Sequence, residues 1–462
     1  MLFNSLHYLI FFPLVACIYF ALPLMARRYW LLACSFYFYC VFSIPLSLLL
    51  VYSTVLDYTM ARVIDASNAQ WKRRAALCIS LIGNLAVLFA FKYVDFFAQS
   101  VNDIAGKEMV PAFNVILPMG ISFYTFQTMA YTIDVYRKQI KAERNILDVA
   151  LYVAYFPQLV AGPIMRAGDL LPQFKEKHEI NTTRILSGFL LVAWGLSKKI
   201  FIAEPMGQFV DPVYANPENY SGAALLLATY AFAIQIFADF SAYTDIAIGS
   251  ARILGFRLME NFRTPYLATS VRDFWRRWHI SLSTWLRDYL YISLGGNRKG
   301  AARTYASLII TMLLGGLWHG ASWNFVIWGG LHGAALAIER MVTGKRKPSP
   351  SPAKRSNELI KWFFTFHFIC LAWIFFRARS FEAAIDVISG IASWQDGMAI
   401  SYVPLGVLGA LLATQYMQTK IDVHGFFMRH AFVGRWLAYT GLLFCALAMA
   451  GGSSPEFIYF QF

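Results

Sequence analysis

Long apolar runs recur along the chain and constrain its fold more than any other feature. A helix that spans a bilayer needs roughly 20 mostly apolar residues. The runs that meet or approach this length are Leu6–Pro23, Ala75–Phe91, Ile185–Ala203, Ala223–Ala238, Leu308–Trp328 and Leu437–Met449. More interrupted runs are Trp30–Leu50, Val115–Ile133 and Val403–Tyr416. With 58% apolar and 14% charged residues, the chain has too little polar surface for a water-soluble domain. We therefore predict an all-α, polytopic membrane helix bundle with about 10–12 membrane-embedded segments.

Basic residues cluster in short loops between these runs. The formal net charge of +14 would suggest nucleic acid in a water-soluble protein. Here the charge lies beside predicted spans, where basic loops face the cytoplasm. We therefore expect membrane lipid around the chain and no nucleic-acid partner. The basic loops are Arg27–Arg28, Lys72–Arg74, Arg137–Arg144, Lys175–Arg184, Arg252–Arg303, Lys345–Arg355 and Lys420–Arg435. With these loops inside, both termini lie outside, although Arg377 and Arg379 fit this topology poorly.

The chain shows no internal repeat and no second soluble domain. We predict a single transmembrane domain over residues 1–462. The basic segment 343–357, rich in Ser and Pro, is typical of a flexible cytoplasmic loop. The six cysteines lie in apolar runs without metal-type spacing, so we interpret them as small core residues and predict no metal site.

The segment Ser270–Leu294 is too charged to span a bilayer but fits an amphipathic helix. One face of a helical wheel carries Phe274, Trp278, Leu282, Trp285 and Tyr289. The opposite face carries Arg276, His279, Ser283 and Arg287. A helix of this kind anchors at the interface or lines a wet cavity in the bundle. The wheel alone favours the anchor, whereas the histidine among arginines favours the cavity.

Two histidines, His319 and His332, lie in the apolar run Leu313–Gly333. Burying a histidine in a spanning segment costs free energy, so such a residue is a candidate functional group. A neutral imidazole can take a proton from a hydroxyl that attacks a thioester carbonyl. Taken singly, a buried histidine is more often a hydrogen-bonded core residue. Both interpretations stay open at this point.

Small and polar neighbours surround His319 in the same run. Three glycines remove side chains near it, which would let a backbone or a substrate approach closely: Gly315, Gly316 and Gly320. Trp318 and Asn324 are candidate substrate or donor contacts, as is His332.

Two carboxylates, Asp239 and Asp245, lie in the otherwise apolar segment Phe237–Gly249. An unpaired carboxylate is costly there, so each either forms an ion pair or lines a hydrated path. We expect structural ion pairs, with Arg276 or Arg287 as partners.

The sequence lacks the motifs of several other enzyme classes. It contains no G-x-x-x-x-G-K-[ST] phosphate loop, no G-x-S-x-G nucleophile elbow and no H-E-x-x-H zinc helix. An ATP-driven pump, a hydrolase of the soluble type and a zinc protease of these kinds are therefore excluded.

Several long motifs nevertheless occur together and in order. They are ILPMGISFYTFQTMAYTIDVYR from Ile116, YFPQLVAGPIMR from Tyr155, FWRRWHISLSTWLRDYLYISLGGNR from Phe274, LLGGLWHGASWNFVIWGGLHG from Leu313, and PEFIYFQF from Pro455. Together they resemble the membrane-bound O-acyltransferase family, in particular its branch for alginate, cellulose and peptidoglycan O-acetylation. One departure is Ala242 in DFSAYTDIAIG, where we expect glycine.

The resemblance implies an acyltransferase whose helices surround a funnel from each membrane face. It implies that His319 is the catalytic histidine and His279 the second important one, while His332 matches the pattern without an assigned role. It further implies a bacterial inner-membrane location and a cytosolic thioester donor, either acetyl-CoA or an acetylated carrier, with no bound cofactor. Arg276 and Arg287 would attract the donor's phosphates. The expected partners are a periplasmic protein resembling an SGNH hydrolase and an exopolysaccharide biosynthesis and secretion complex.

Our hypothesis is a membrane O-acetyltransferase that serves an exopolysaccharide, alginate or cellulose, with peptidoglycan as a further acceptor to consider. A transporter of an acetyl donor or polymer is the alternative from another class, because intramembrane Asp, Arg and His also suit a polar pathway. A structural subunit of a secretion complex is the third. The glycine-flanked His319 discriminates among them, since only the enzyme needs that one imidazole.

Overall fold

The computed structural model describes residues 1–160, 162–344, 355–422, 425–426, 429–450 and 457–460. Within these ranges the backbone is helical, and its only β pairing is one isolated bridge between Tyr220 and Met398. The chain divides into two compact units. Unit 1 contains Met1–Trp194, Tyr243–Met259 and Phe432–Ser454, and unit 2 contains Gly195–Ala242, Glu260–Ala431 and Pro455–Phe462. The predicted all-α class is confirmed, whereas the single domain stays a prediction.

The helices are named here in chain order. They are α1 (Leu6–Ala21), α2 (Leu24–Cys40), α3 (Ile44–Ala66), α4 (Gln70–Leu88), α5 (Val94–Ala105), α6 (Ile121–Tyr136), α7 (Ile146–Ala154), α8 (Phe156–Leu159), α9 (Ala167–Phe174), α10 (Thr182–Lys198), α11 (Glu204–Ala215), α12 (Gly222–Leu254), α13 (Val271–Arg277), α14 (Ile280–Trp285), α15 (Ala301–His319), α16 (Trp323–Thr343), α17 (Arg355–Arg377), α18 (Phe381–Ala392), α19 (Val403–Gln418) and α20 (Ala431–Ala450). Single π-helical turns follow three of them, at Phe89–Tyr93, Lys199–Ala203 and Leu286–Tyr291.

Seven helical stretches in the described part of the chain are long and apolar enough to cross a membrane. They are Ile44–Ala66, Gln70–Ala105, Thr182–Ala215, Gly222–Leu254, Ala301–His319, Trp323–Thr343 and Asn357–Arg377. Four other predicted runs fall on α1, α6, α19 and α20, whereas no predicted run covers Asn357–Arg377. Large apolar side chains on α3 are exposed, with Ile44 at 70% and Leu48 at 66%, as expected of a surface that contacts lipid. The chain is a multi-pass membrane protein.

A buried polar cluster ties α3, α4 and α6 together in unit 1. The carboxylate of the fully buried Asp57 accepts hydrogen bonds from Ser80 Oγ, from Asn84 Nδ2 at 2.8 Å and from Thr132 Oγ1 at 3.1 Å. Side chains of this kind link helices in a bilayer, where no water is at hand to satisfy them. The sequence analysis did not identify this cluster.

In unit 2, glycines let α15 and α16 pack backbone to backbone. A Cβ atom on Gly316 would lie 2.1 Å from the Phe325 carbonyl oxygen, and one on Gly329 would lie 2.2 Å from the Met312 carbonyl oxygen. The glycines before His319 therefore admit a neighbouring backbone. Leu308–Trp328 is not one continuous helix as predicted, because Gly320 is extended and Ser322 caps α16 by accepting from the Asn324 N–H.

The predicted amphipathic helix is broken at His279. This residue adopts the left-handed conformation, with φ of 41° and ψ of 56°, so α13 and α14 do not share one helical register. The aromatic face is buried as predicted, with Phe274 at 1% and Trp278 at 0% exposure. The prediction that His279 shares the arginine face is wrong, because the break turns His279 into the core, where it is 0% exposed.

The predicted loop 343–357 falls mostly outside the described residues, at 345–354. Thr343 ends α16 and Arg355 begins α17. Three of the six cysteines are buried in the core, whereas the interpretation as core residues is wrong for the exposed Cys17 and Cys78.

Candidate active site

His279 and His319 lie side by side in the core of unit 2. Their ring centroids are 6.3 Å apart, and their exposures are 0% and 3%. His319 is the last residue of α15, and His279 occupies the turn between α13 and α14. The two histidines that the resemblance singles out are therefore brought together from positions 40 residues apart in the sequence.

The turn that carries His279 is held by Asn261. The backbone carbonyl of Asn261 accepts from the Ile280 N–H at 3.0 Å, and its side-chain oxygen accepts from the Ser281 N–H at 3.2 Å. Asn261 is itself fully buried. These two hydrogen bonds stabilise the left-handed backbone conformation of His279, which costs free energy in a residue other than glycine. The strain is thus placed at the candidate site.

Aromatic rings enclose both histidines; we call this set the ring cage. Around His319 the centroids lie at 4.9 Å for Trp318, 5.0 Å for Trp328, 5.4 Å for Phe376 and 5.5 Å for Tyr459. Phe240 and Trp318 lie 4.6 Å and 5.9 Å from His279. A water-poor surrounding strengthens electrostatic interactions at a reacting group. The arrangement suits an imidazole that accepts a proton while excluding bulk water.

His332 packs against Trp328, a member of the ring cage. Its ring centroid is 4.8 Å from that of Trp328, and it is 0% exposed. The indole N–H of Trp275 donates to His332 Nδ1 at 3.2 Å. Trp328 therefore packs against both His332 and His319.

The two other residues predicted near His319 have different surroundings. Trp318 forms part of the ring cage, in contact with both histidines. Asn324 is buried, and its Nδ2 donates to the Ala378 carbonyl oxygen at 2.9 Å, which ties the start of α16 to the end of α17. Its predicted substrate contact stays a prediction.

A cavity of about 490 Å³ is lined by α13, α14, the π-helical turn Leu286–Tyr291, α15 and α16. Its basic residues, which we call the arginine cavity set, are Arg272, Arg276, Arg287 and Arg340. Arg272 pairs with Glu339 at 3.5 Å and Arg287 with Asp288 at 2.6 Å. Neither of the other two arginines forms an ion pair with any described residue. Guanidinium groups in a cavity attract anions. The predicted role of Arg276 and Arg287 at the donor's phosphates stays a prediction.

The pKa shifts in this cavity keep Arg287 charged and the Tyr291 hydroxyl protonated. The hydrogen bond to Asp288 raises the pKa of Arg287. Burial raises the pKa of the Tyr291 hydroxyl, which the Arg340 guanidinium partly opposes. Tyr291 thus stays a hydroxyl donor at neutral pH beside fixed positive charges. Within the described ranges, no group of three or more His, Cys, Asp or Glu is placed to hold a metal ion.

Asp239 forms a buried ion pair, as predicted, but not with an arginine. Its Oδ1 lies 2.9 Å from Lys199 Nζ, and both side chains are 3% exposed. The assignment of Arg276 or Arg287 as its partner is wrong, because Lys199 on the π-helical turn after α10 reaches it first. Asp245 is half-buried in the part of α12 that belongs to unit 1. Its predicted ion pair stays a prediction.

Residues 457–459, which we call the 457–459 segment, complete the site. Phe457, Ile458 and Tyr459 are buried, and Tyr459 stands in the ring cage. From the sequence, PEFIYFQF was a motif of the resemblance only and was not assigned to the site. Lys199 was not predicted either, although a lysine inside an apolar run calls for a partner such as Asp239.

The chain is similar to one protein-family model and to several known proteins. The model of MBOAT, the membrane-bound O-acyltransferase family, matches residues 136–380. A probable alginate O-acetylase from Azotobacter vinelandii is 41% identical over 86% of this chain and 79% of its own length. One from Pseudomonas aeruginosa is 40% identical over 86% and 76%. A peptidoglycan O-acetyltransferase from Helicobacter pylori is 36% identical over 85% and 80%. The resemblance is thereby confirmed: the chain belongs to the membrane-bound O-acyltransferase family and is an acyltransferase.

Proposed function

We propose that this chain is the O-acetyltransferase of a bacterial inner-membrane system that acetylates an exopolysaccharide, alginate or cellulose. The observation that carries the proposal is the pair of buried histidines, 6.3 Å apart inside a ring cage, in an acyltransferase. The most similar relatives named above act in alginate and peptidoglycan O-acetylation. A peptidoglycan acceptor is the second candidate, favoured by the Helicobacter relative.

His319 acts as the general base. It takes the proton of the acceptor hydroxyl while that oxygen bonds to the thioester carbonyl carbon. The tetrahedral intermediate then breaks its carbon–sulfur bond, and the leaving thiolate receives the proton from the imidazolium. His279 orients the hydroxyl or stabilises the developing oxyanion. The acceptor hydroxyl belongs either to a sugar or to the periplasmic partner.

The donor is acetyl-CoA or an acetylated carrier, and it enters from the cytosolic side. Arg276 and Arg287 of the arginine cavity set attract its phosphates, since a guanidinium binds phosphate oxygens in a bidentate fork. His332 and Trp318 line the passage of its acyl arm. On the other face, a periplasmic protein resembling an SGNH hydrolase delivers the acetyl group to the polymer within the secretion complex.

The test compares the acetyl content of exopolysaccharide from cells that carry wild type, His319→Ala, His279→Ala or His430→Ala. His430 is exposed and serves as the matched control. We expect loss of acetyl groups in the first two variants, with normal protein level and polymer yield, and no change in the third. Full acetylation with His319→Ala would move the assignment to a transporter or a structural subunit.

A further inference from the structure

The buried ion pair between Lys199 and Asp239 is costly where it stands. Both residues lie in helices of spanning length, and each side chain is only 3% exposed. Ionisable residues inside a membrane bundle are expensive and mark functional positions. Replacing a buried ion pair with apolar residues is often neutral or stabilising. Fold stability alone therefore does not account for this pair.

The second oxygen of Asp239 binds the 457–459 segment. Its Oδ2 accepts from the backbone N–H of Ile458 at 2.7 Å, while Oδ1 faces Lys199. Ile458 begins a single 3-10 turn, so its N–H has no helical carbonyl before it to bond. Lys199 is the first residue of the π-helical turn Lys199–Ala203, and its Nζ lies 2.9 Å from Asp239 Oδ1. The pair thus presents one carboxylate oxygen to a backbone amide that needs an acceptor.

The residues that follow Ile458 and Asp239 in the chain connect this hydrogen bond to both histidines. Tyr459 follows Ile458, and its ring lies 5.5 Å from that of His319. Phe240 follows Asp239, and its ring lies 4.6 Å from Tyr459 and 4.6 Å from His279. A displacement of the 457–459 segment would therefore remove one wall of the ring cage and loosen the other histidine.

We propose that Lys199 and Asp239 are positioning residues that hold the 457–459 segment so that Tyr459 closes the ring cage around His319. The inference rests on the proposed function, because it concerns the same site. In this arrangement, the side chain at position 239 has one essential property. The side chain there must accept a hydrogen bond from Ile458, whereas the charges of the pair serve only to orient that acceptor.

Two double variants separate the acceptor from the charge. Lys199→Gln with Asp239→Asn removes both charges but keeps an amide oxygen for the Ile458 N–H, while the new amide N–H₂ donates to the glutamine oxygen. Lys199→Leu with Asp239→Leu removes charge and acceptor together. Acetyl content of the exopolysaccharide is measured in cells, normalised to the membrane level of each variant. Lys361→Leu with Glu358→Leu, an exposed pair on α17, is the matched control.

We expect the Gln/Asn variant to keep most of its acetylation and the Leu/Leu variant to lose about 10²-fold, the scale of a misplacement of about 1 Å at a reacting group. Tyr459→Leu should show the same loss without touching the ion pair, which covers the case in which Leu/Leu fails to accumulate. The proposal is overturned if Leu/Leu or Tyr459→Leu keeps the wild-type level, or if Gln/Asn is as inactive as Leu/Leu. His319→Ala in the same assay reports separately on the proposed function, since full acetylation there would refute the chemistry and not the positioning.

Discussion

Trp275 fixes the tautomer of His332. Its indole N–H can only donate, so the Nδ1 atom that accepts from it at 3.2 Å carries no proton, and the neutral ring bears its proton on Nε2. That Nε2–H is buried and has no hydrogen-bond partner among the described residues. His332 is thus held as a donor beside Trp328 and, through it, beside the candidate base. The hydrogen bond from Trp275 thus fixes the tautomer of His332, whereas the role of His332 in the reaction belongs to the proposed function.

Trp275→Phe should destabilise the protein by about 1–3 kcal/mol, the cost of leaving the buried His332 Nδ1 without its donor. Phenylalanine keeps an aromatic ring but is smaller than the indole, so the measured loss also includes a packing contribution. The measurement is the unfolding temperature of the protein purified in detergent. Trp436→Phe is the control, because Trp436 is 59% exposed and its loss should change stability by less than about 0.5 kcal/mol. Equal shifts for the two variants would contradict the tautomer argument.

His319→Gln should lower acetylation by about 10²–10⁴-fold, the usual contribution of a general base. Glutamine keeps hydrogen bonding and roughly the size of the ring but cannot take a proton. Acetyl release from the polymer after mild alkaline hydrolysis gives the readout, with membrane levels checked by immunoblot. A polar conduit would tolerate this change, so retained acetylation would favour the transporter.

Arg276→Ala and Arg340→Ala should each weaken binding of coenzyme A to the purified protein. A hydrogen bond to a charged group contributes about 1.5–3 kcal/mol, which corresponds to about tenfold or more in affinity. Titration calorimetry with coenzyme A as the probe measures this effect, which should also shrink with added salt. Arg263→Ala is the control, because Arg263 pairs with Glu260 on the surface. Unchanged affinity in both test variants would remove the arginine cavity set from donor binding.

Gly316→Ala should destabilise the protein by about 1–3 kcal/mol, because its methyl group would meet the Phe325 carbonyl oxygen at 2.1 Å and force α15 and α16 apart. Gly409→Ala on α19 is the matched control. No atom lies within 4 Å of a Cβ there, and alanine favours a helix over glycine by up to about 1 kcal/mol. The unfolding temperatures should therefore move in opposite directions. An unchanged unfolding temperature for Gly316→Ala would contradict the close packing of α15 against α16.

Features that repeat along a helix could be predicted from the sequence. The apolar runs located most of the spanning helices but missed Asn357–Arg377, and the wheel over Ser270–Leu294 identified the buried aromatic face correctly. The same wheel misplaced His279, because one left-handed residue rotates everything after it and no local pattern announces such a residue. The bonds from Asn261 that stabilise it come from outside the segment.

Contacts between residues far apart in the sequence were the other feature that could not be predicted. Asp239 was expected beside an arginine, whereas its partner Lys199 lies in a run interpreted only as apolar. The cluster around Asp57 joins three helices through side chains that are unremarkable one by one. The pairing of charged side chains depends on how neighbouring helices are rotated about their axes. The hydropathy of the sequence does not contain that information.

The place where α15 ends has an electrostatic consequence. Its peptide dipoles add to a partial negative charge at the final turn, and His319 is the last residue of that turn. When the imidazole takes a proton, the positive charge arises beside the carbonyl ends of the last peptide groups of its own helix. Such a placement contributes about 0.3–1 kcal/mol on an exposed surface and up to about 2 kcal/mol where water is scarce. Part of the stabilisation of the protonated base is thus supplied by the backbone, and no side-chain substitution can remove it.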